Sequence, residues 1–171
     1  MKFVCHTTYN QKTLTAMARA VRKTVRARRN RMIRFYAWII IVLLAVSLWL
    51  SWGNVWHTMV NCAVIAALLL TNWKEDSLNA FFAKRKALPG TELADTTFYP
   101  DYFLVKTAAA ESKWQYGQIF ALAQTRDYLV FVMGKNHAMA MEKAALEGGS
   151  LPEFCRFVEE KSGRKIQNVG G

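Results

Sequence analysis

The sequence predicts an α+β membrane protein, in which a two-helix transmembrane hairpin carries a cytoplasmic helical stalk and a small antiparallel β-sheet domain capped by a C-terminal helix. Three observations predict this class. Residues 35–52 and 55–73 contain no Asp, Glu, Lys or Arg, and each run is close to the roughly 20 apolar residues that one helical crossing needs. The residues before the first run are strongly basic. Short apolar runs alternate with turn residues after position 91, which is typical of strands.

The hairpin consists of transmembrane helix 1 (residues 35–52) and transmembrane helix 2 (residues 55–73), joined at Gly53-Asn54. In hydrocarbon every backbone donor needs a partner within its own segment, so both runs are expected to be helical. Aromatic rings cluster near the ends of the runs, as is typical at headgroup level. These rings are Phe35, Tyr36, Trp38, Trp49, Trp52, Trp56 and Trp73. The alternative is a buried helical pair in a soluble protein.

The charges predict the orientation of the hairpin. The formal net charge is +11, from 23 basic and 12 acidic side chains. Residues 1–34 hold ten of the basic residues and no acidic one. Because Lys and Arg near a membrane segment stay on the cytoplasmic side, both termini are predicted to be cytoplasmic in a multi-pass protein of the cell membrane. A cleaved signal peptide is not expected, since the first apolar run begins only at Phe35.

The segments on either side of the hairpin are predicted to meet on its cytoplasmic side. Residues 1–10 contain a strand, Lys2–Thr8, that is too short to be stable alone and is expected to join the cytoplasmic sheet. Residues 11–34 lack Gly and Pro and are predicted to form a basic cytoplasmic helix that runs directly into the first span. Residues 74–90 extend the second helix as far as Pro89-Gly90. Counting back from the turn places Arg31 and Arg34 near Glu75 and Asp76.

Residues 91–171 form the predicted cytoplasmic domain. Its strands are predicted at Glu92–Tyr99, Tyr102–Thr107, Ser112–Tyr116, Gln118–Gln124, Tyr128–Met133 and His137–Met141. A helix then begins after Ser150, with Glu153 at the capping-box position, and ends near Gly163. This helix is expected to cover the open face of the sheet.

This order of elements resembles the YcxB-like membrane proteins of bacteria over nearly the whole chain. The matching stretches are Tyr102-Phe-Leu-Val, Trp114-Gln-Tyr116, Gln118-Ile119, Asp127-Tyr-Leu-Val-Phe131, Lys143 after a short strand, and the helix with Phe154 and Phe157. The resemblance implies a pleckstrin-homology-like (PH-like) shape for residues 91–171 and carries no established activity. A Pro commonly precedes the Lys in that family, whereas Glu142 does so here, and the local turn is expected to differ.

The sequence contains no catalytic, cofactor-binding or metal-binding constellation. The three histidines are isolated, and the three cysteines form no CxxC and are expected to be free thiols. Gly148-Gly149-Ser150 lacks the Walker pattern and is interpreted as a turn with an N-cap. We therefore expect a protein that is not an enzyme and has no cofactor.

Polar residues inside the hairpin are candidate interhelical contacts. His57 and Asn61 are four positions apart and share one helix face, and turn-counting places Asn61 opposite Ser47. Hydrogen bonds between membrane helices contribute roughly 0.6–2 kcal/mol each. The alternative is that these residues form a contact between copies of the protein or line a polar pathway across the membrane.

The basic arm supplies candidate contacts to anionic lipid headgroups. These are Arg26, Arg28, Arg29, Arg31 and Arg34, each contributing about 1 kcal/mol near the surface. A role in setting the orientation of the hairpin in the membrane would by itself explain why these residues are basic. Nucleic acid is not an expected partner, because the arm has no interleaved aromatic residues and leads directly into a span.

Taken together, these patterns predict a non-enzymatic bacterial inner-membrane protein whose PH-like domain binds a protein partner or its own copy. Membrane lipids are the other expected partners. The alternatives are a lipid- or ligand-responsive membrane regulator and a small accessory subunit of a transporter.

Overall fold

The computed structural model describes residues 3–50, 53–87 and 89–170. The helices in these ranges are α1 (Gln11–Lys23), α2 (Ala27–Leu50), α3 (Val55–Trp73), α4 (Glu75–Lys86) and α5 (Leu151–Ser162). The strands are β1 (Phe3–Thr8), β2 (Leu93–Phe98), β3 (Tyr102–Thr107), β4 (Glu111–Gln115), β5 (Ala121–Gln124), β6 (Tyr128–Val132), β7 (Ala138–Glu142), β8 (Leu146–Glu147) and β9 (Ile166–Asn168). The α+β class predicted from the sequence is confirmed.

The strands form two sheets, where the sequence predicts one. The first has the order β4-β3-β2-β1-β8 and is antiparallel. The second has the order β7-β6-β5-β9, and its β5–β9 pair is parallel. A 3-10 turn at Tyr116–Gln118 separates β4 from β5, so the chain leaves the first sheet there and starts the second. The predicted strand Gln118–Gln124 is correspondingly shortened to β5.

The N-terminal strand joins the first sheet, as predicted. β1 pairs antiparallel with β2, from Phe3 opposite Phe98 to Thr8 opposite Leu93, and β8 lies on its other side. Alternate β1 residues are buried, which fixes this register because a one-residue slip would turn them outward. The first sheet therefore combines one strand that precedes α2 and α3 in the sequence with four strands that follow them. Lys2, which the prediction included, lies outside the described residues.

The core lies between the sheets and under α5. Phe98, Phe131 and Phe154 are fully buried, and the ring centroids of Phe98 and Phe154 are 4.7 Å apart in an edge-to-face arrangement. The predicted capping box joins Ser150 to Glu153, and Gly163 ends the helix with φ +64°. The predicted position and covering role of α5 are confirmed.

α1 covers the outer face of the second sheet, a role that the sequence did not predict. Ala16 and Ala20 of α1 pack against a cluster that includes Val130, Val132 and Ala140. Small alanine side chains let the helix approach the strands closely. Because α5 covers the other side, all five residues of β6 are buried.

The predicted uninterrupted helix over residues 11–34 is wrong. α1 ends at Lys23 and α2 begins at Ala27. In the break, the Thr24 hydroxyl donates to Ala20 O at 2.7 Å, and the Arg26 N–H donates to Val21 O at 3.0 Å. The Arg26–Val21 hydrogen bond spans one residue more than the backbone hydrogen bond of an α-helix. The break frees α1 to follow the sheet while α2 follows α3.

α4 continues from α3 with a bend at Lys74. The Lys74 N–H donates to Leu70 O and the Leu78 N–H donates to Lys74 O, both at 2.9 Å, so Lys74 is hydrogen-bonded to both helices. α1 packs along α4, and α2 packs along α3. Both α2 and α3 are long and apolar enough to cross a membrane, and only 6% and 0% of their apolar windows are buried. Ser51, Trp52 and Leu88, which the predicted segments included, lie outside the described residues.

Candidate functional site

The joint between α1, α2 and α4, which we call the elbow, concentrates charged side chains. Arg22 binds Asp76 through two contacts of 2.6 Å, from Nε to Oδ1 and from Nη2 to Oδ2. The two side chains are 15% and 11% exposed, and Arg19 Nε lies 3.5 Å from Asp76 Oδ2. The Asp76 carboxylate raises the pKa of Arg22. This forked pair fixes α1 to α4 more specifically than a single contact would.

Glu75 completes the acidic side of the elbow. Arg34 Nη2 lies 3.6 Å from Glu75 Oε2, and the Asn30 amide, oriented with its nitrogen toward the carboxylate, donates to Oε1 at 2.8 Å. The predicted proximity of Arg34 to Glu75 is confirmed. Asp76, in contrast, pairs with α1 rather than with Arg31, because the break after Lys23 brings α1 alongside α4.

The other arginines of the basic arm have different surroundings. Arg28, Arg29 and Arg31 are exposed and form no ion pair within the described ranges. Arg26 Nη2 donates to Asn136 Oδ1 at 2.5 Å. Arg26 Nε is buried and has no hydrogen-bond partner among the residues that the structure describes. Buried donors are almost always satisfied, so this one is an exception within the described structure.

A cavity of about 320 Å³, the elbow cavity, lies beside Arg26. Arg29 and Lys135 supply two more cationic side chains to its wall, and Asn136 and Glu75 also line it. Lys135 and Asn136 belong to the turn between β6 and β7. The sequence marks this turn as polar, but no local pattern predicts that it meets the basic arm.

A second cavity of about 430 Å³, the sheet-end cavity, is mainly apolar. Val105, Trp114, Met133 and Met139 line it. The rings of Trp114 and His137 are 4.9 Å apart. Sequence reasoning missed this cavity because its walls come from strands in both sheets.

Tyr9 lies on the wall of the sheet-end cavity beside the start of α1. Burial raises the pKa of its hydroxyl to about 12. The side chain is therefore neutral at physiological pH and acts as a hydrogen-bonding wall group rather than as a base.

The predicted polar contact between the hairpin helices is present for one pair. Asn61 Nδ2 donates to Ser47 Oγ at 3.2 Å. His57 lies in the first turn of α3, where its backbone N–H donates to Asn54 Oδ1 at 3.3 Å. His57 therefore shares the helix with Asn61 but does not take part in the Ser47 contact.

The Cys5 thiol and the Lys143 ammonium group each donate a hydrogen bond to a backbone carbonyl. Burial raises the pKa of the Cys5 thiol, which donates to Glu142 O at 3.4 Å. Lys143, the charge aligned by the family resemblance, donates to Thr125 O at 2.6 Å and so closes a turn. Within the described ranges, no group of three or more His, Cys, Asp or Glu side chains could hold a metal ion.

A scan of the sequence against models of known protein families finds no match. A search among curated proteins finds no significant match either.

Proposed function

We propose that this chain is a non-enzymatic bacterial inner-membrane protein, related to the YcxB-like family, whose PH-like cytoplasmic domain binds a protein partner or a second copy. The exposed apolar surface of α2 and α3 supports membrane insertion, because a core helix of a soluble protein would be mostly buried. The basic residues before Phe35 and after Trp73 favour an orientation with both termini in the cytoplasm.

The exposed edge of β4 carries the interaction proposal. β4 is an end strand of the first sheet, and within the described residues it pairs only with β3. The Thr107 N–H donates to Ala110 O at 2.8 Å, which makes these two a hydrogen-bonded pair. Because such pairs alternate along an antiparallel ladder, the backbone of Ser112 and Trp114 bonds to β3 and that of Lys113 points outward. The outward groups can pair with an added strand.

The sheet-end cavity lies next to this edge. Trp114 belongs to β4 and lines the cavity together with Val105 and Met133. In strand addition, backbone hydrogen bonds supply affinity and neighbouring pockets select side chains. An extended segment with an apolar side chain toward Trp114 would satisfy both requirements.

Affinity purification of the full-length protein from native membranes in mild detergent tests this function. Lys113→Pro removes the outward N–H at an edge position where a strand tolerates proline. Lys113→Ala is the matched control, because both variants lose the charge and its contact with the Tyr102 ring at 3.9 Å. We expect the proline variant to lose a stoichiometric partner or second copy, and the alanine variant to keep it. Equal retention by both variants would exclude the β4 edge.

The second candidate is a ligand-responsive membrane regulator. The size of the sheet-end cavity favours it, since about 430 Å³ falls within the usual range of roughly 300–1,000 Å³ for small-molecule sites. Purified protein that carries a bound small molecule or lipid, with no stoichiometric protein and no second copy, would support this candidate over the first.

A further inference from the structure

We propose that the elbow cavity binds the phosphate headgroup of an anionic phospholipid from the adjoining leaflet. This inference rests on the membrane insertion of α2 and α3 proposed above, and it is independent of the β4 edge. A basic arm attracts anionic lipid in general. The proposal goes further, because it names one pocket and includes Lys135 of the β6–β7 turn.

The charges of the cavity favour a phosphate. Arg26, Arg29 and Lys135 line it, and Arg26 Nε is a buried donor with no partner in the described parts of the chain. Asn136 holds the Arg26 guanidinium in place through the 2.5 Å hydrogen bond, so the group is oriented before a ligand arrives. A phosphate accepts several charge-assisted hydrogen bonds at once, and arginine is the residue best suited to donate them.

The acid in the wall does not oppose this binding. Glu75 lines the cavity, but its carboxylate already accepts from Asn30 and lies 3.6 Å from Arg34. Arg22, also in the wall, is paired with Asp76. Arg26, Arg29 and Lys135 therefore line the cavity with no acidic partner among the residues that the structure describes.

The position of the cavity favours a lipid over a soluble phosphate. Arg29 lies six residues before Phe35, the start of the uncharged run, which is about 9 Å along a helix. The headgroup layer on each side of a bilayer is roughly 5–8 Å thick. Arg29 thus lies at the outer edge of that layer, within reach of a lipid phosphate. A lipid bound there would join α2 to the β6–β7 turn.

Native mass spectrometry of the full-length protein in neutral detergent tests the proposal. The protein is titrated with phosphatidylglycerol and, in parallel, with zwitterionic phosphatidylcholine. Arg29→Gln and Lys135→Gln each remove one exposed cavity charge and leave the core intact. We expect each to weaken binding of the first phosphatidylglycerol about fivefold, because a charge contributes about 1 kcal/mol and 1.4 kcal/mol is tenfold.

Two matched controls separate the pocket from diffuse attraction. Arg126→Gln removes an equal charge from the exposed turn between β5 and β6, outside the cavity, and Lys106→Gln removes one from β3. We expect both controls to change binding less than twofold.

Three results would overturn the proposal. The first is an equal loss of binding in the Arg29 variant and in both controls. The second is equal binding of both lipids. The third is displacement of the lipid by millimolar inorganic phosphate, which would make the cavity a site for free anions. None of these results affects the Lys113→Pro comparison, so the two proposals fail separately.

Discussion

Replacement of the Phe3 side chain by alanine tests whether the N-terminal strand is an integral part of the sheet domain. Phe3 is 1% exposed, and its ring centroid lies 5.1 Å from that of Phe154 and 5.5 Å from that of Phe157. Phe3→Ala would remove these contacts and leave a cavity under α5. Substitutions of this kind cost about 3–5 kcal/mol of unfolding free energy. We expect that loss here, because Phe154 also packs α5 against Phe98 and Phe131, so the helix cannot follow the smaller side chain.

Amide hydrogen exchange of the full-length protein in detergent measures this loss. Exchange of the β6 amides, at the centre of the second sheet, should become roughly 100- to 4,000-fold faster at 1.4 kcal/mol per tenfold. The control is Leu93→Ala on the neighbouring strand, where the side chain is 66% exposed and the expected change is within about twofold. Deleting residues 2–8 should cost at least as much as Phe3→Ala. If the Phe3 variant exchanged no faster than the Leu93 control, β1 would be a fraying terminus.

Three further predictions concern the elbow, a pH-dependent pair and the topology. Asp76→Asn should lower the unfolding free energy by about 1–3 kcal/mol, because the largely buried Arg22 guanidinium would lose the carboxylate that it binds. Chemical denaturation measures this loss, with Asp101→Asn at an exposed position as the control. The hydrogen bond that the His6 ring donates to the Asp95 carboxylate raises the pKa of His6. This pair therefore stabilises the fold fully below the ordinary histidine pKa, and the effect disappears as pH rises through the raised value. An NMR titration should show the raised pKa, and Asp95→Asn should abolish it. Reporters fused to both termini should give cytoplasmic signals, and a periplasmic signal from either would contradict the topology.

Features that depend on local chemistry were predictable from the sequence. The capping box of Ser150 and Glu153 and the stop at Gly163 define α5, and all three are present as expected. β3 has the predicted bounds, because it begins after the Pro100-Asp101 turn and is rich in aromatic and β-branched residues. The pairing of β1 followed from a more general argument, namely that a short strand is not stable alone and a sheet edge needs a partner.

Features that depend on distant contacts were not predictable. The break at Thr24–Arg26 contains no Gly or Pro, and it forms because α1 packs on the second sheet while α2 packs on α3. β9 has only three residues, and its parallel pairing with β5 depends on α5 returning the chain to that edge. Lys135 lies more than 100 residues from Arg29 in the sequence, and only the fold brings both to the elbow cavity.

The elbow connects the sheet domain to α2 through α1 and to α3 through α4. α1 is held on one side by the second sheet and on the other by the Arg22–Asp76 pair with α4. The sheet domain is thus linked to α2 through the break after Lys23 and to α3 through the bend at Lys74. The break departs from helical hydrogen bonding, because its Arg26 N–H bond spans one residue more than the helical spacing, whereas Lys74 is hydrogen-bonded to both helices at the bend. Two cations of the elbow cavity lie at this break, Arg26 within it and Arg29 in the first turn of α2.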